Sequence, residues 1–135
     1  MNEPRDILAN FQGNPPAVEA SLEDVRQRGG IGLPTDYGAF LRRWNGGEGF
    51  IGEKSYVILW TAEELLELNQ AYQVNEYAPG LFLFGSDGGG EAFAFDLRRD
   101  PCSVVSVPFV GMDLSLVRPV AEGFTEFLET MAQEP

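Results

Sequence analysis

The chain contains no histidine. That single absence removes Ser-His-Asp triads, Cys-His dyads and histidine metal centres. It contains one cysteine, Cys102. An internal disulfide is therefore impossible, and a structural zinc, which needs about four Cys or His ligands, has one. Cys102 follows Pro101 with no base beside it in sequence, so it reads as an inert thiol and not as a nucleophile. Positive charge is scarce: nine Lys and Arg stand against 21 Asp and Glu, a formal net charge of −12. Such a field repels nucleic-acid phosphates and anionic membranes and steers basic partners inward. Plain solubility is the simpler use of the same charge. No apolar run reaches the ~18 residues of a membrane span, and Met1 to Gln12 lacks the apolar core of a signal peptide. The expectation is a cytoplasmic protein with no cofactor and a protein partner, binding neither nucleic acid nor membrane.

What is present is the composition of a globular domain. The 135 residues are 44% hydrophobic and 22% charged, enough chain for one core without staples. Residues 1–20 read as an N-terminal arm, with a turn or two of helix before Asn14-Pro15-Pro16, and residues 21–135 as the domain. A helix is expected over Ser21 to Arg28, capped by Ser21 and ended by Gly29-Gly30. Pro34 suits a first helical position. Tyr37, Phe40, Leu41 and Trp44 then recur at i, i+3, i+4 and i+7, one apolar helix face. Asn45-Gly46-Gly47 ends that helix.

Phe50-Ile51 and Tyr56 to Trp60 read as strands joined by a turn at Gly52 to Ser55. Thr61 caps a further helix, and Glu64 three residues on completes a capping box. Leu81 to Phe84 and Glu91 to Leu97 form a hairpin around Gly85 to Gly90. In its second strand Phe93, Phe95 and Leu97 share one face, with Ala92, Ala94 and Asp96 on the other. Ser103 to Val107 is a strand that Phe109-Val110 extends past Pro108, and Ala121 to Met131 is a closing helix. The order of elements predicts an α+β fold: a single domain with a central, mainly antiparallel sheet and helices packed against it.

Chemistry is sparse. Gly85 to Gly90 is not a phosphate-binding loop: no Lys-Ser or Lys-Thr follows, it opens a strand, and Asp87 and Glu91 repel phosphate. Glu48, Glu53, Asp87, Glu91, Asp96 and Asp100 lie in turns or at strand ends, without the spacing of a calcium loop. Solvated carboxylates are the plain reading, with Asp96 paired to Arg98 or Arg99. Between Lys54 and Arg98 lie seven acidic residues and no basic one. That stretch is either a solvated acidic face with helix-dipole matching or an electrostatic docking surface. Trp44 reads as core, and Trp60 as core or surface anchor.

Four segments, in order, resemble a known family. They are Leu33-Pro34-Thr35-Asp36-Tyr37 with Phe40-Leu41 and Trp44-Asn45-Gly46-Gly47; Phe84-Gly85-Ser86-Asp87-Gly88-Gly89-Gly90; Phe93-Ala94-Phe95-Asp96; and Phe124-Thr125-Glu126-Phe127-Leu128. Over about residues 21 to 131 the chain resembles the SUKH superfamily in its Smi/Knr branch. The resemblance implies an α+β fold, no established catalytic residues, and a binding role. Bacterial members look like immunity proteins that block a toxin domain, often a nuclease; fungal members look like regulators of cell-wall assembly. The leading expectation is accordingly a non-enzymatic immunity-type protein that binds a cognate, basic toxin. Its acidic rim is expected at Glu48, Glu53, Asp87 and Glu91, with Glu63, Glu64 and Glu67 as further contacts. A regulatory interaction module with several weak partners is the alternative, and an enzyme using loop carboxylates ranks last.

Overall fold

In the computed structural model, which describes residues 7–133, seven strands pair in chain order into one sheet. The elements are β1 (Phe11–Gly13), α1 (Glu19–Gly29), α2 (Thr35–Arg43), β2 (Gly47–Ile51), β3 (Ser55–Leu59), α3 (Ala62–Ala71), α4 (Val74–Tyr77), β4 (Leu81–Ser86), β5 (Glu91–Asp96), β6 (Ser103–Pro108), β7 (Arg118–Ala121) and α5 (Phe124–Gln133), with one 3-10 turn at Leu114–Leu116. Every strand pairing is antiparallel. The fold is α+β, as expected.

The core is aromatic. Tyr37 of α2 lies 5.0 Å from the Phe95 ring of β5 and 5.0 Å from the Phe124 ring of α5, and 5.6 Å from Phe84. Phe84 stacks on Phe95 at 4.5 Å and meets Phe127 edge-on at 5.4 Å. Each such pair contributes ~0.5–1.5 kcal/mol beyond the burial of its area. These rings fix α2 and α5 on the sheet. Asp36, in the first turn of α2, strengthens the join: its Oδ2 accepts bonds from the Thr125 amide and hydroxyl at the start of α5, both at 2.9 Å.

Helix α3 buries Ala62 and Leu65 in the core, and one polar side chain ties it to the sheet. Strand β3 pairs with β4 only at Ile58↔Ser86 and Leu59↔Gly85, and the Trp60 amide then donates to the Phe84 carbonyl before the strand departs. The Leu83 backbone would be left without a neighbour on that edge. Asn69 of α3 replaces the missing strand: its Oδ1 accepts from the Leu83 amide at 2.8 Å and its Nδ2 donates to the Leu83 carbonyl at 2.9 Å. A buried strand edge satisfied in this way costs nothing, whereas an orphaned one does.

Several boundaries differ from expectation for identifiable reasons. The helical arm ahead of Asn14 falls partly on residues 1–6, outside the described residues; Phe11–Gly13 is a strand, pairing with Gly47–Gly49. Helix α1 begins two residues before Ser21, with Val18 at its N-cap and no side-chain cap. Pro34 is the N-cap of α2, not its first helical residue. Both faces of β5 are buried, Ala92 and Ala94 as fully as Phe95, so its alternation marks no solvent face. Leu97 falls outside the strand, and Phe109-Val110 does not extend β6. Strand β7 carries no sequence signal of its own. It includes Pro119, which a sheet edge tolerates. Trp60, at 7% exposure, is core.

Replacing Asn69 with Ala is expected to lower unfolding free energy by about 2–4 kcal/mol, since a buried amide and carbonyl each lose their partner. Tyr37→Phe is expected to be neutral or stabilising by ~1 kcal/mol, because the buried Tyr37 hydroxyl has no hydrogen-bond partner among the described residues. Urea titrations of both variants measure these changes.

Candidate protein-docking face

Period-two alternation exposes a particular set of side chains on β2 and β3. Gly47, Gly49 and Ile51 face inward, which turns Glu48 and Phe50 outward. On the partner strand Val57 and Leu59 are buried, while Tyr56 and Ile58 are half-buried. The register sets Phe50 opposite Tyr56 and Glu48 opposite Ile58. Gln12 of β1 adjoins Glu48 on the other side. These residues, with Thr61 and Glu64 from the start of α3, line an open concavity of about 690 Å³.

Its polar groups are held in place. The Tyr56 hydroxyl donates to Glu48 Oε2, and this bond raises the phenol above its ordinary pKa. The Phe50 and Tyr56 rings meet edge to face, 5.3 Å apart at 79°. Glu64 is anchored by the expected capping box: its Oε1 accepts from the Thr61 amide at 3.0 Å, and Thr61 Oγ1 accepts from the Glu64 amide at 3.2 Å. Among the described residues, no Lys or Arg lines the concavity.

The glycines beside it are structural. Gly46 has φ 71°, and an added Cβ would strike the Leu59 carbonyl of β3. The same atom on Gly47 would strike the Gln12 carbonyl of β1. Only a residue without Cβ lets the chain pass between these strands. Asn45 ahead of them ties the corner together. Its Oδ1 accepts from the Ala62 amide at 2.7 Å, capping α3, and its Nδ2 donates to Glu63 Oε1 at 2.8 Å.

The seven candidate acids divide accordingly. Glu48 and Glu64 line the concavity. Asp87 and Glu91 stand beside it, because the β4–β5 turn abuts Tyr56: a Cβ on Gly88 would sit 3.1 Å from the Tyr56 ring. Asp87 Oδ1 organises that turn, accepting from the Gly89 amide at 2.8 Å and the Glu91 amide at 3.2 Å. Glu53 is exposed in the β2–β3 turn and does not line the concavity. Glu63 faces Ser21 and Asn45, whose hydrogen bonds hold its carboxyl below the ordinary value. Glu67 is exposed on α3, and its charge acts on Arg28 of α1. Phe50 and Tyr56 are the lining residues that charge-based reading passes over. Their signal is the two-residue spacing that puts Phe50 on the same strand face as Glu48.

Other acidic groups serve the fold. Asp96, with 6% of its side chain exposed, accepts from Arg98 Nε at 2.9 Å and Nη2 at 3.0 Å, selecting Arg98 over Arg99 as partner. Cys102 is half-buried, and burial pushes its thiol up, away from the reactive thiolate. Among the described residues no three Cys, Asp or Glu side chains gather as a metal site, and no helix is long and apolar enough to cross a membrane.

Comparison with known protein families matches residues 16–130 to the SMI1 / KNR4 family (SUKH-1). No curated protein matches the chain.

The Asp96–Arg98 pair predicts a pH dependence. Arg98 holds the Asp96 carboxyl below its ordinary value of 3.8, so the stability it supplies is present above about pH 4 and is lost as pH falls through the folded-state pKa. The stability gap between the parent chain and Arg98→Gln should therefore be largest near neutrality and shrink below pH 4. Urea titrations at pH 7 and pH 3 measure that gap.

Proposed function

The chain belongs to the SMI1 / KNR4 family (SUKH-1), and on that premise we propose that it is a cytoplasmic, non-enzymatic immunity-type protein that binds a basic toxin domain and blocks its active site. The observation that carries this reading is the concave outer surface of β2 and β3. There the carboxylates of Glu48 and Glu64 and the rings of Phe50 and Tyr56 share one opening, with no Lys or Arg among the described residues that line it. Asp87 and Glu91 on the neighbouring turn extend the negative field, and Glu53 supplies more at the hairpin tip.

A nuclease toxin suits such a face. Its substrate-binding surface holds phosphates and is therefore basic. Carboxylates presented by an inhibitor occupy the same positive groups, and burial of the aromatic rings adds non-directional affinity. The net charge of −12 accelerates the encounter at low ionic strength. No bond in the partner is made or broken; inhibition is occlusion at one-to-one stoichiometry.

Affinity capture from lysate of the source organism, at low and high salt, tests the reading. One stoichiometric basic partner, whose activity falls on adding this protein, supports it. Several weak, salt-sensitive partners would replace it with a regulatory interaction module. With the partner in hand, the triple variant Glu48→Lys, Glu53→Lys, Glu91→Lys should associate at least about tenfold more slowly at low salt and show a flatter salt dependence. An association rate indifferent to these reversals would remove the acidic face from the interface.

A further inference from the structure

Within the concavity, Tyr56 joins two neighbours, bonding to Glu48 and packing on Phe50, and Glu64 lines the same opening. Phe50 is 40% exposed, an unusual setting for a phenylalanine on a paired strand. Its ring stands edge to face with Tyr56 across the strand pair, so Tyr56 keeps Phe50 upright instead of collapsed on the sheet. The Tyr56 hydroxyl occupies Glu48 Oε2, and Glu48 Oε1 has no hydrogen-bond partner among the described residues. Glu64, lining the same opening, spends Oε1 on the Thr61 amide and has no bond on Oε2 among the described residues. An aromatic face and two acceptor oxygens thus lie in one open cavity.

We propose that this cavity is the receptor for an arginine side chain of the protein partner, with the guanidinium against the Phe50 and Tyr56 rings and its N–H groups directed to the carboxylate of Glu48, while Glu64 adds negative charge to the same opening. The inference rests on the docking reading above and narrows it to one residue type. Arginine fits better than lysine for physical reasons. A guanidinium is planar, stacks on aromatic rings, and donates from a fixed fork to carboxylate oxygens; an ammonium is a compact, strongly hydrated point charge. The protein already makes one such stack of its own, with the Arg43 guanidinium 4.2 Å above the Trp44 ring. Charge complementarity alone would not distinguish the two cations. The exposed ring pair is what does.

The test uses two capped peptides of equal length and charge, one with arginine and glycine, the other with lysine and glycine. Each is titrated into the isotope-labelled full chain and followed by amide NMR. The expected result is shifts centred on β2, β3 and the start of α3, with the arginine peptide about three- to tenfold tighter. Phe50→Ala, at an exposed position, should bring that ratio close to one, while Glu48→Gln should weaken both peptides. Equal affinities for the two peptides in the parent chain would overturn the arginine receptor and leave a basic-partner face intact. Shifts confined to other surfaces would overturn it as well. The broader reading fails separately, if a captured partner binds the Glu48→Lys, Glu53→Lys, Glu91→Lys variant at an unchanged rate.

Discussion

The packing of Tyr37, Phe84, Phe95, Phe124 and Phe127 is the constraint on which the rest of the molecule depends. All five are almost completely buried, and they join α2 and α5 to the middle strands of the sheet. With both helices committed there, the outward residues of β2 and β3 are left without a helix over them. The same packing explains why Asp36 is worth its position. By receiving the Thr125 amide and hydroxyl, it satisfies donors at the start of α5 that would otherwise be orphaned. The open outer surface of β2 and β3 is therefore a by-product of where the aromatic core sits.

Local pairing chemistry was readable without coordinates, and long-range pairing was not. Thr61 and Glu64 lie three residues apart, so their reciprocal bonds could be inferred directly. The Tyr37-Phe40-Leu41 face of α2 followed from helical spacing alone. Strand β1 has three residues and exists because Gly47 and Gly49 leave room for its backbone. Nothing between Phe11 and Gly13 announces that. Strand β7 is equally dependent on its neighbour. The N-cap of α1 is Val18 and not Ser21, and the added first residue, Glu19, pairs with Arg42 of α2.

The candidate site divides in the same way. Charge selected all seven acids alike, whereas the structure puts Glu48 and Glu64 in the concavity, Glu63 against Asn45 and Glu67 near Arg28. Net charge has no direction in it. Direction came from the strand alternation that turns Glu48 and Phe50 outward together. The Asn-Gly-Gly and Asp-Gly-Gly-Gly segments, prominent in the sequence, proved to be geometric devices. Asn45 caps α3 and Gly46 passes under a carbonyl, while Asp87 closes its own turn. Their glycines and Asn45 serve the geometry of the concavity's surroundings, while Asp87 closes its turn and also carries one of the candidate charges.

The alternation along β2 has a consequence for how such a protein changes over time. Outward positions such as Glu48 and Phe50 touch solvent, while the residues between them carry the packing. Substitutions at exposed sites usually alter stability by less than about 0.5 kcal/mol. New side chains can be tried at the outward positions one at a time, with the fold indifferent to each trial. Two descendants of this chain could thus come to recognise unrelated partners while remaining superimposable in backbone.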